Sequence, residues 1–207
     1  MGTYPNPKCQ LCRREGVKLF LRGDRCYSPK CALGRRPTPP GQHGRFRRRM
    51  TLYARRLREK QKLKRIYGLR EEQFRRYVEW AKEFKGVTGE TLLKFLERRL
   101  DNVVYRAGFA VSRAHARQLV SHGHFLVNGR VTNIPSYLVE EGDIIEVKPQ
   151  AREKLRPMLK ENADRRPVPR WLTRDLEGLR VQVHAEPSLE ELEHAVDPSL
   201  IVEYYSR

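Results

Sequence analysis

The chain has 207 residues, of which 39% are hydrophobic and 33% are charged, and its formal net charge is +18 at pH 7. This apolar content suffices for one or two domains with packed cores. No run of the sequence has the length and apolar character of a membrane span or of a secretory signal. The sequence therefore predicts neither a membrane protein nor a secreted one.

The positive charge is concentrated in the first third of the chain. Residues 1–66 contain 20 Lys and Arg but only 3 Asp and Glu, a net charge of +17. Such a density is favourable beside a polyanion, because neutralised phosphates release condensed counterions. Arg outnumbers Lys by 31 to 12 in the whole chain, and the guanidinium fork suits phosphate contacts. The composition predicts a protein that binds nucleic acid.

All four cysteines lie in two close pairs, Cys9-x2-Cys12 and Cys26-x4-Cys31. Two short knuckles of this kind can supply four thiolates to a tetrahedral zinc ion without a large core. A four-thiolate site has no open position for water, so a zinc ion here would be structural. The alternatives are two disulfides or four free thiols, and the lack of a secretory signal argues against disulfides.

A segment rich in proline and glycine follows the cysteines. Residues 35–44 (RRPTPPGQHG) have too many of both for a helix or a central strand, and they lead into RFRRR at residues 45–49. We interpret this segment as an extended basic arm that becomes ordered on phosphates. The alternative is a solvated linker.

The middle of the chain has helical periodicity. Apolar residues recur at helical intervals after Thr51 and stop at Gly68, and they recur again over residues 71–85, where nearly balanced charge indicates a core helix. Residues 91–108 carry enough apolar side chains for one or two further packed helices.

A short helix is predicted after Ser112, which is a good N-cap, and it ends near Gly123, which can adopt the left-handed conformation. Arg113 and Arg117 are four residues apart in this helix and therefore share a face. We expect that face to be cationic and the opposite, apolar face to be buried.

Extended runs follow the short helix. Asn128-Gly129 is the dipeptide best suited to a type I′ hairpin turn. Further extended runs are expected at residues 137–139 and 144–147, joined by a turn at residues 140–143. Helix and strands together predict a small αβ module.

After Lys148 the sequence becomes polar. We interpret this part as a segment that returns to the helical part of the protein. Short apolar runs at residues 171–172, 179–183 and 200–205 predict strands or apolar anchors that close back on the helical part.

The Gly-His link, the Val-Asn-Gly turn and the later Gly-Asp turn closely resemble the RNA-binding module named after small-subunit ribosomal protein number four. The cysteine knuckles, the Pro-Gly arm, RRLREKQKL at residues 55–63 and the terminal IVEYYSR resemble the same family, so the likeness covers almost the whole chain. On these motifs the chain is identified as a bacterial-type member of that family.

The family likeness and the local patterns together imply an α+β fold that includes a short antiparallel sheet. The expected parts are a lobe of zinc knuckles with the basic arm (1–45), a mainly helical rRNA-binding domain (46–98), the small RNA-binding module (99–160) and a C-terminal segment that returns to the helical domain (161–207).

The resemblance implies a structural protein of the cytoplasmic ribosome and not an enzyme. Its implied partners are the 5′ domain of 16S rRNA, where it nucleates small-subunit assembly, and small-subunit protein five, with which it contributes to translational accuracy. Other implied partners are small-subunit proteins near the point where mRNA enters and, in some bacteria, its own mRNA. The implied cofactor is one structural Zn²⁺ on the four cysteines.

The implied rRNA contacts combine this likeness with the charge pattern. They are Arg13, Arg14, Arg35, Arg36, His43, Arg45, Arg47, Arg48, Arg49, Arg55, Arg56, Arg58, Lys62, Arg113, Arg117, His122 and His124.

Two alternative classes remain open. Arg99-Leu100-Asp101 matches a motif of pseudouridine synthases, RNA-modifying enzymes that carry the same module and use the Asp as a nucleophile. In those enzymes a long catalytic domain follows the module, whereas only 60 residues follow Val147 here, so we interpret Asp101 as structural. The other class is a zinc-containing DNA-binding factor, although the sequence has neither finger motifs nor dimerisation heptads.

Overall fold

The computed structural model describes residues 7–44, 49–163, 167–188 and 196–206. The chain divides into two compact units, the first from residues 1–92 and 193–207 and the second from residues 93–192. Among the described helices, none combines the length and the apolar character that a membrane span requires. The predicted RNA contacts Arg45, Arg47 and Arg48 lie outside the described residues.

The described part of the chain combines helices with short strands. In chain order they are α1 (Lys8–Glu15), a 3₁₀ turn (Gly23–Cys26), α2 (Ala32–Arg35), α3 (Leu52–Ile66), α4 (Glu71–Glu83), α5 (Thr88–Glu97), α6 (Leu100–Arg106), α7 (Arg113–Ser121), β1 (Phe125–Val127), β2 (Arg130–Val131), β3 (Ile144–Val147), α8 (Pro149–Ala163), β4 (Leu172–Asp175), β5 (Arg180–Val183) and α9 (Pro198–Tyr205).

In the first unit, α3 has the bounds that its sequence predicts. The Thr51 hydroxyl accepts a hydrogen bond from the Ala54 amide at 3.2 Å, and Gly68, with φ of +62°, follows the end of the helix. Helix α9 packs along α3. Buried side chains of the core around these helices include Leu63, Ile66, Phe74, Tyr77, Val78, Ala81 and Ile201.

The second unit packs helices against an antiparallel sheet of strand order β2-β1-β3-β5-β4. The Ser112 hydroxyl caps α7 by accepting from the His115 amide at 3.3 Å, and Gly123 adopts φ of +69° after the helix. Asn128 and Gly129 both have positive φ, as a type I′ turn requires. These local predictions are confirmed.

The later part of the chain differs from its sequence interpretation. In the polar segment after Lys148, Ala151, Leu155 and Leu159 are buried at four-residue intervals, so the chain forms α8, even though Pro157 lies within it. The run at residues 137–139 contributes only a single bridge, from Leu138 to Arg99.

The C-terminal runs also lead to different places. Strands β4 and β5 complete the sheet of the second unit, since β5 pairs with β3. Residues 200–205 form part of α9, a helix and not a strand, which packs along α3 in the first unit, so the prediction that this run anchors back on the helical part is confirmed. The sequence pattern could not distinguish these outcomes because short apolar runs suit either element.

Candidate nucleic-acid interface

The four cysteines of the first unit line one small cavity of about 10 Å³. Cys9 and Cys12 belong to α1, Cys26 ends the 3₁₀ turn and Cys31 immediately precedes α2. Burial raises the pKa of Cys12 to about 11, a hydrogen bond from the Leu19 backbone opposes the rise, and the other three thiols add to it. None of the four forms a disulfide.

The donor chemistry at this cavity suits zinc, because four thiols from three local elements converge on one place. Across the described ranges, however, no group of three or more His, Cys, Asp or Glu is arranged so that it could hold a metal ion. The zinc site thus stays a prediction.

The basic arm is held against α1 by one arginine. Arg13 Nε donates a hydrogen bond to the Thr38 carbonyl at 2.9 Å, and its Nη2 donates to the Pro39 carbonyl at 3.4 Å. These bonds occupy part of the Arg13 guanidinium and give the arm a defined path beside the cysteines.

Other predicted RNA contacts of the first unit lie at its surface. Exposed side chains in this set are Arg14, Arg35, Arg36, His43, Arg49 and Arg55. They come from α1, the arm and the start of α3, so the strongly basic sequence produces a surface rich in cations. Such a surface attracts phosphates over distances of about one Debye length.

Further along α3 the basic residues contact carboxylates. Arg56 pairs with Glu203 of α9 at 2.6 Å, and Arg58 pairs with Glu15 of α1 at 3.3 Å. Lys62 pairs with Glu59 within the same helix. These three cations are half-buried, and their rRNA contacts stay predictions.

Glu15 is the centre of the contact between α1 and α3. Its side chain is 1% exposed and pairs with both Arg58 and Arg65. Burial raises the pKa of Glu15, and the two arginines oppose that rise. The carboxylate therefore fastens the cysteine-bearing helix to α3.

A second carboxylate, Glu71, fastens α9 in the first unit. It accepts hydrogen bonds from Lys60 Nζ at 2.7 Å, Lys64 Nζ at 2.6 Å and the Tyr205 hydroxyl at 2.7 Å. Burial alone would raise the pKa of Glu71, but these hydrogen bonds outweigh it and lower the pKa to about 2. Lys60 also lies 4.7 Å from the centre of the Tyr204 ring, within cation–π range.

In the second unit, the apolar face of α7 is buried as predicted, and the two arginines of its cationic face contact α6. Arg113 is 8% exposed, and its Nε donates to Asn102 Oδ1 at 2.8 Å while its guanidinium stacks over Tyr105. Arg117 donates from Nε and Nη2 to Asp101 Oδ2 at 3.0 and 2.8 Å. Both arginines turn toward α6 because its polar side chains offer them hydrogen-bond acceptors. The RNA contacts assigned to them stay predictions.

Asp101 is a structural residue, as the sequence analysis expects. It is 4% exposed, and besides Arg117 it binds Arg99, whose Nε donates to Oδ1 at 3.0 Å and whose Nη2 donates to Oδ2 at 2.8 Å. A carboxylate shared by two guanidinium groups inside the unit is poorly placed to attack a substrate.

The two histidines predicted to contact RNA follow α7. His122 is exposed and His124 half-buried, with ring centres 6.0 Å apart. Burial lowers the pKa of His124, and the positive charges of His122, Lys154 and Lys148 lower it further. Burial and Lys154 also lower the pKa of His115.

Three of these neighbours escaped the sequence analysis. His115 precedes His122 by seven residues, two helical turns, which is a signal that could have been used. Lys148 and Lys154 fall within the predicted module (99–160), but the sequence analysis did not include them among the RNA contacts. Lys148 lies beside His124 because β3 pairs with β1, and its amide donates to the His124 carbonyl at 2.9 Å, whereas Lys154 lies on α8.

Two family models match the chain. The model described as the ribosomal protein S4/S9 N-terminal domain matches residues 3–97, and the S4 domain model matches residues 98–145. The two matches, together with the fold and the basic surface, place the chain among the ribosomal proteins that contain an S4 domain.

Similar proteins include small ribosomal subunit protein uS4A of Symbiobacterium thermophilum, which is 58% identical over 207 residues. Small ribosomal subunit protein uS4 of Caldicellulosiruptor saccharolyticus is 57% identical over 208 residues, and the protein of the same name from Thermus thermophilus is 56% identical over 210. Each alignment covers 100% of both chains. The chain belongs to the uS4 family of small ribosomal subunit proteins.

Membership of this family confirms several predictions. The chain is a structural constituent of the cytoplasmic ribosome and not an enzyme, so the RNA-modifying alternative is excluded. The expected combination of helices and a small antiparallel sheet in an S4 domain is confirmed as well.

Proposed function

We propose that this protein binds the 5′ domain of 16S rRNA directly and nucleates assembly of the small subunit around it. The observation that carries the proposal is the net charge of +17 in residues 1–66, much of it on exposed side chains of α1, the arm and α3. The protein acts by positioning RNA and not by chemistry. Phosphate contacts supply affinity, and the shape of the folded RNA supplies selectivity.

The proposed protein partners are small-subunit protein five, with which the chain contributes to translational accuracy, and neighbours near the point where mRNA enters. Its own mRNA is a further proposed ligand. A basic surface that accepts a folded ribosomal RNA could accept a messenger segment of similar shape, since both present phosphates in a fixed arrangement.

The proposed cofactor is one Zn²⁺ held by Cys9, Cys12, Cys26 and Cys31. The ion would supply no reactivity, because four thiolates leave no open position. It would join α1, the 3₁₀ turn and α2, and so fix Arg14, Arg35 and the arm relative to one another.

A salt-titrated binding assay tests the RNA proposal. The affinities of the full chain for the 5′ domain of 16S rRNA, for an unrelated folded RNA of equal length and for duplex DNA are compared from 0.1 to about 0.5 M salt. A preference for the 5′ domain that persists at high salt supports the proposal. Equal affinities that fall together as salt rises would refute it.

Metal analysis tests the zinc proposal. Protein purified without added metal should contain about one equivalent of zinc, and replacing Cys9 and Cys12 by Ser should remove it. A folded wild-type protein without zinc would contradict this proposal and leave the RNA proposal intact.

A further inference from the structure

The hairpin turn between β1 and β2 contains the chain's single Asn-Gly dipeptide, Asn128-Gly129. Each of the other asparagines is followed by a residue that carries a side chain. Glycine leaves its own amide nitrogen unshielded, because it has no Cβ. Asn128 and Gly129 are both exposed, and a Cβ added to Gly129 would meet nothing within 4 Å. The amide nitrogen of Gly129 is therefore sterically open to the side chain that precedes it.

Attack by this nitrogen on the Asn128 side chain is the reaction by which an asparagine loses its amide. The Gly129 nitrogen gives up its proton and forms a bond to Asn128 Cγ. The Cγ–Nδ2 bond breaks, and Nδ2 leaves as ammonia, so that a five-membered succinimide ring remains. Water then adds its hydroxyl to one of the two ring carbonyls and returns a proton to the nitrogen. Residue 128 becomes aspartate or isoaspartate, and water is the only reagent consumed.

In the folded chain the Asn128 side chain is held at both of its polar atoms. Nδ2 donates a hydrogen bond to Asp143 Oδ1 at 2.7 Å, and Oδ1 accepts one from the Ile144 amide at 2.9 Å. Asp143 is only 8% exposed, and its Oδ2 accepts from the Glu140 amide at 2.8 Å, which fixes the carboxylate in turn. We call the bonds from Asn128 to Asp143 and Ile144 the Asn128 clamp.

We propose that Asn128 is a site of spontaneous deamidation and that the Asn128 clamp confines the reaction to chains whose hairpin has opened. Cγ must rotate toward the Gly129 nitrogen before the ring can close, and this rotation breaks the clamp. The bond to Asp143 has a charged acceptor, which makes it one of the stronger kinds of hydrogen bond. Such a bond slows a reaction that must first break it by roughly tenfold or more.

The product prevents the clamp from forming again. Aspartate at residue 128 lacks the Nδ2 donor and places a second carboxylate beside Asp143, where the two charges repel. Isoaspartate also carries the main chain through Cβ, so it lengthens a turn of two residues by one carbon. Deamidation therefore leaves a lasting chemical record that the hairpin has opened.

The first experiment compares the full chain folded in buffer and unfolded in concentrated urea, both at neutral pH. Trypsin separates residues 118–130, which contain Asn128, from residues 131–148, which contain Asn133. Asn133 is an internal control because it is also exposed but is followed by Ile134. Mass spectrometry detects the exchange of NH₂ for OH, and an isoaspartyl methyltransferase labels isoaspartate. In urea, residue 128 should react far faster than residue 133, and folding should slow residue 128 by roughly tenfold or more.

The second experiment removes the acceptor of the clamp. In folded Asp143→Ala, residue 128 should deamidate roughly tenfold faster than in the folded wild type. The matched control is Asp175→Ala, which removes a carboxylate that accepts from the Glu177 and Gly178 amides in the β4–β5 turn. This control should change the rate by less than about twofold, since Asp175 makes no bond of the clamp.

A milder variant guards against failure of Asp143→Ala to fold. Asp143→Asn keeps the shape of the side chain, but its single oxygen can accept only one of the bonds that Asn128 and Glu140 now donate. Its folded form should deamidate roughly threefold faster than the wild type. Circular dichroism and thermal unfolding establish that each variant is folded.

Two results would overturn the proposal. If residue 128 reacts no faster than residue 133 in urea, Asn128 is not a deamidation site. If it does react faster, but the folded wild type, both Asp143 variants and Asp175→Ala all share one rate, the clamp does not restrain the reaction.

Discussion

Replacing Glu71 by Gln should destabilise the first unit and loosen α9. The side chains of Lys60 and Lys64 are only 4% and 8% exposed, and both donate to this carboxylate, as does Tyr205. Removing the negative charge leaves two nearly buried ammonium groups without a counter-charge, which is the costly way to break an ion pair.

The magnitude follows from the pKa of Glu71, which the folded structure lowers from 4.5 to about 2. At 1.36 kcal/mol per pH unit this corresponds to roughly 3 kcal/mol. Because the Glu71 side chain is 46% exposed, solvent screening reduces the figure, and we expect a loss of about 2 kcal/mol.

The pH dependence has a defined sign. A carboxyl group whose pKa is lowered by folding stabilises the protein above its unfolded pKa, here 4.5, and that stabilisation is lost as the pH falls toward about 2. The difference in stability between wild type and Glu71→Gln should therefore be constant near pH 7 and should shrink steadily below about pH 5.

The assay is urea unfolding at pH 7 and at pH 4, together with amide hydrogen exchange of residues 198–205. Glu72→Gln is the matched control, because it removes the same charge from the same first turn of α4 and Glu72 is exposed. The reasoning is refuted if both variants lose equal stability, or if the difference in stability between wild type and Glu71→Gln does not change with pH. The loss would then come from the charge at the helix N-terminus and not from the contacts with Lys60, Lys64 and Tyr205.

Three further predictions concern the second unit, and urea unfolding measures each. Asp101→Asn should cost about 3 kcal/mol, because Arg99 and Arg117 lose a shared, buried counter-charge; a cost below about 0.5 kcal/mol would contradict the structural role. Ser112→Ala should lower the free energy of unfolding by about 1 kcal/mol through loss of the α7 cap, whereas Ser112→Asp, which can still cap the helix, should keep most of that stability. Gly129→Ala should cost about 1 kcal/mol from its φ of +76° alone, since a Cβ there meets nothing within 4 Å; a neutral result would contradict the strain.

Local features of the fold were predictable from local sequence. Thr51 and Gly68 mark the ends of α3, Ser112 caps α7, and Asn128-Gly129 forms the hairpin turn. Each depends on the steric and hydrogen-bonding preferences of a few adjacent residues, which are the same in any fold.

Features that depend on distant partners were not predictable in this way. Helix α8 forms because Ala151, Leu155 and Leu159 have a core to enter, which outweighs the proline among them. The apolar runs of β4 and β5 became strands because β3 has an edge to which β5 can add. Neither the core nor the strand edge is visible in the segment itself.

The sequence by itself determined the sign and the location of the charge and the spacing of the four cysteines in two close pairs. It also determined the caps of the helices and the turn of the hairpin. The tertiary structure alone decided which cations remain available for RNA. Arg117 pairs with Asp101 across 16 residues, Tyr205 binds Glu71 across 134 and Arg56 binds Glu203 across 147. Whether an arginine faces solvent or a carboxylate depends on which partner folding brings within about 3 Å, and spacing along the chain does not specify that partner.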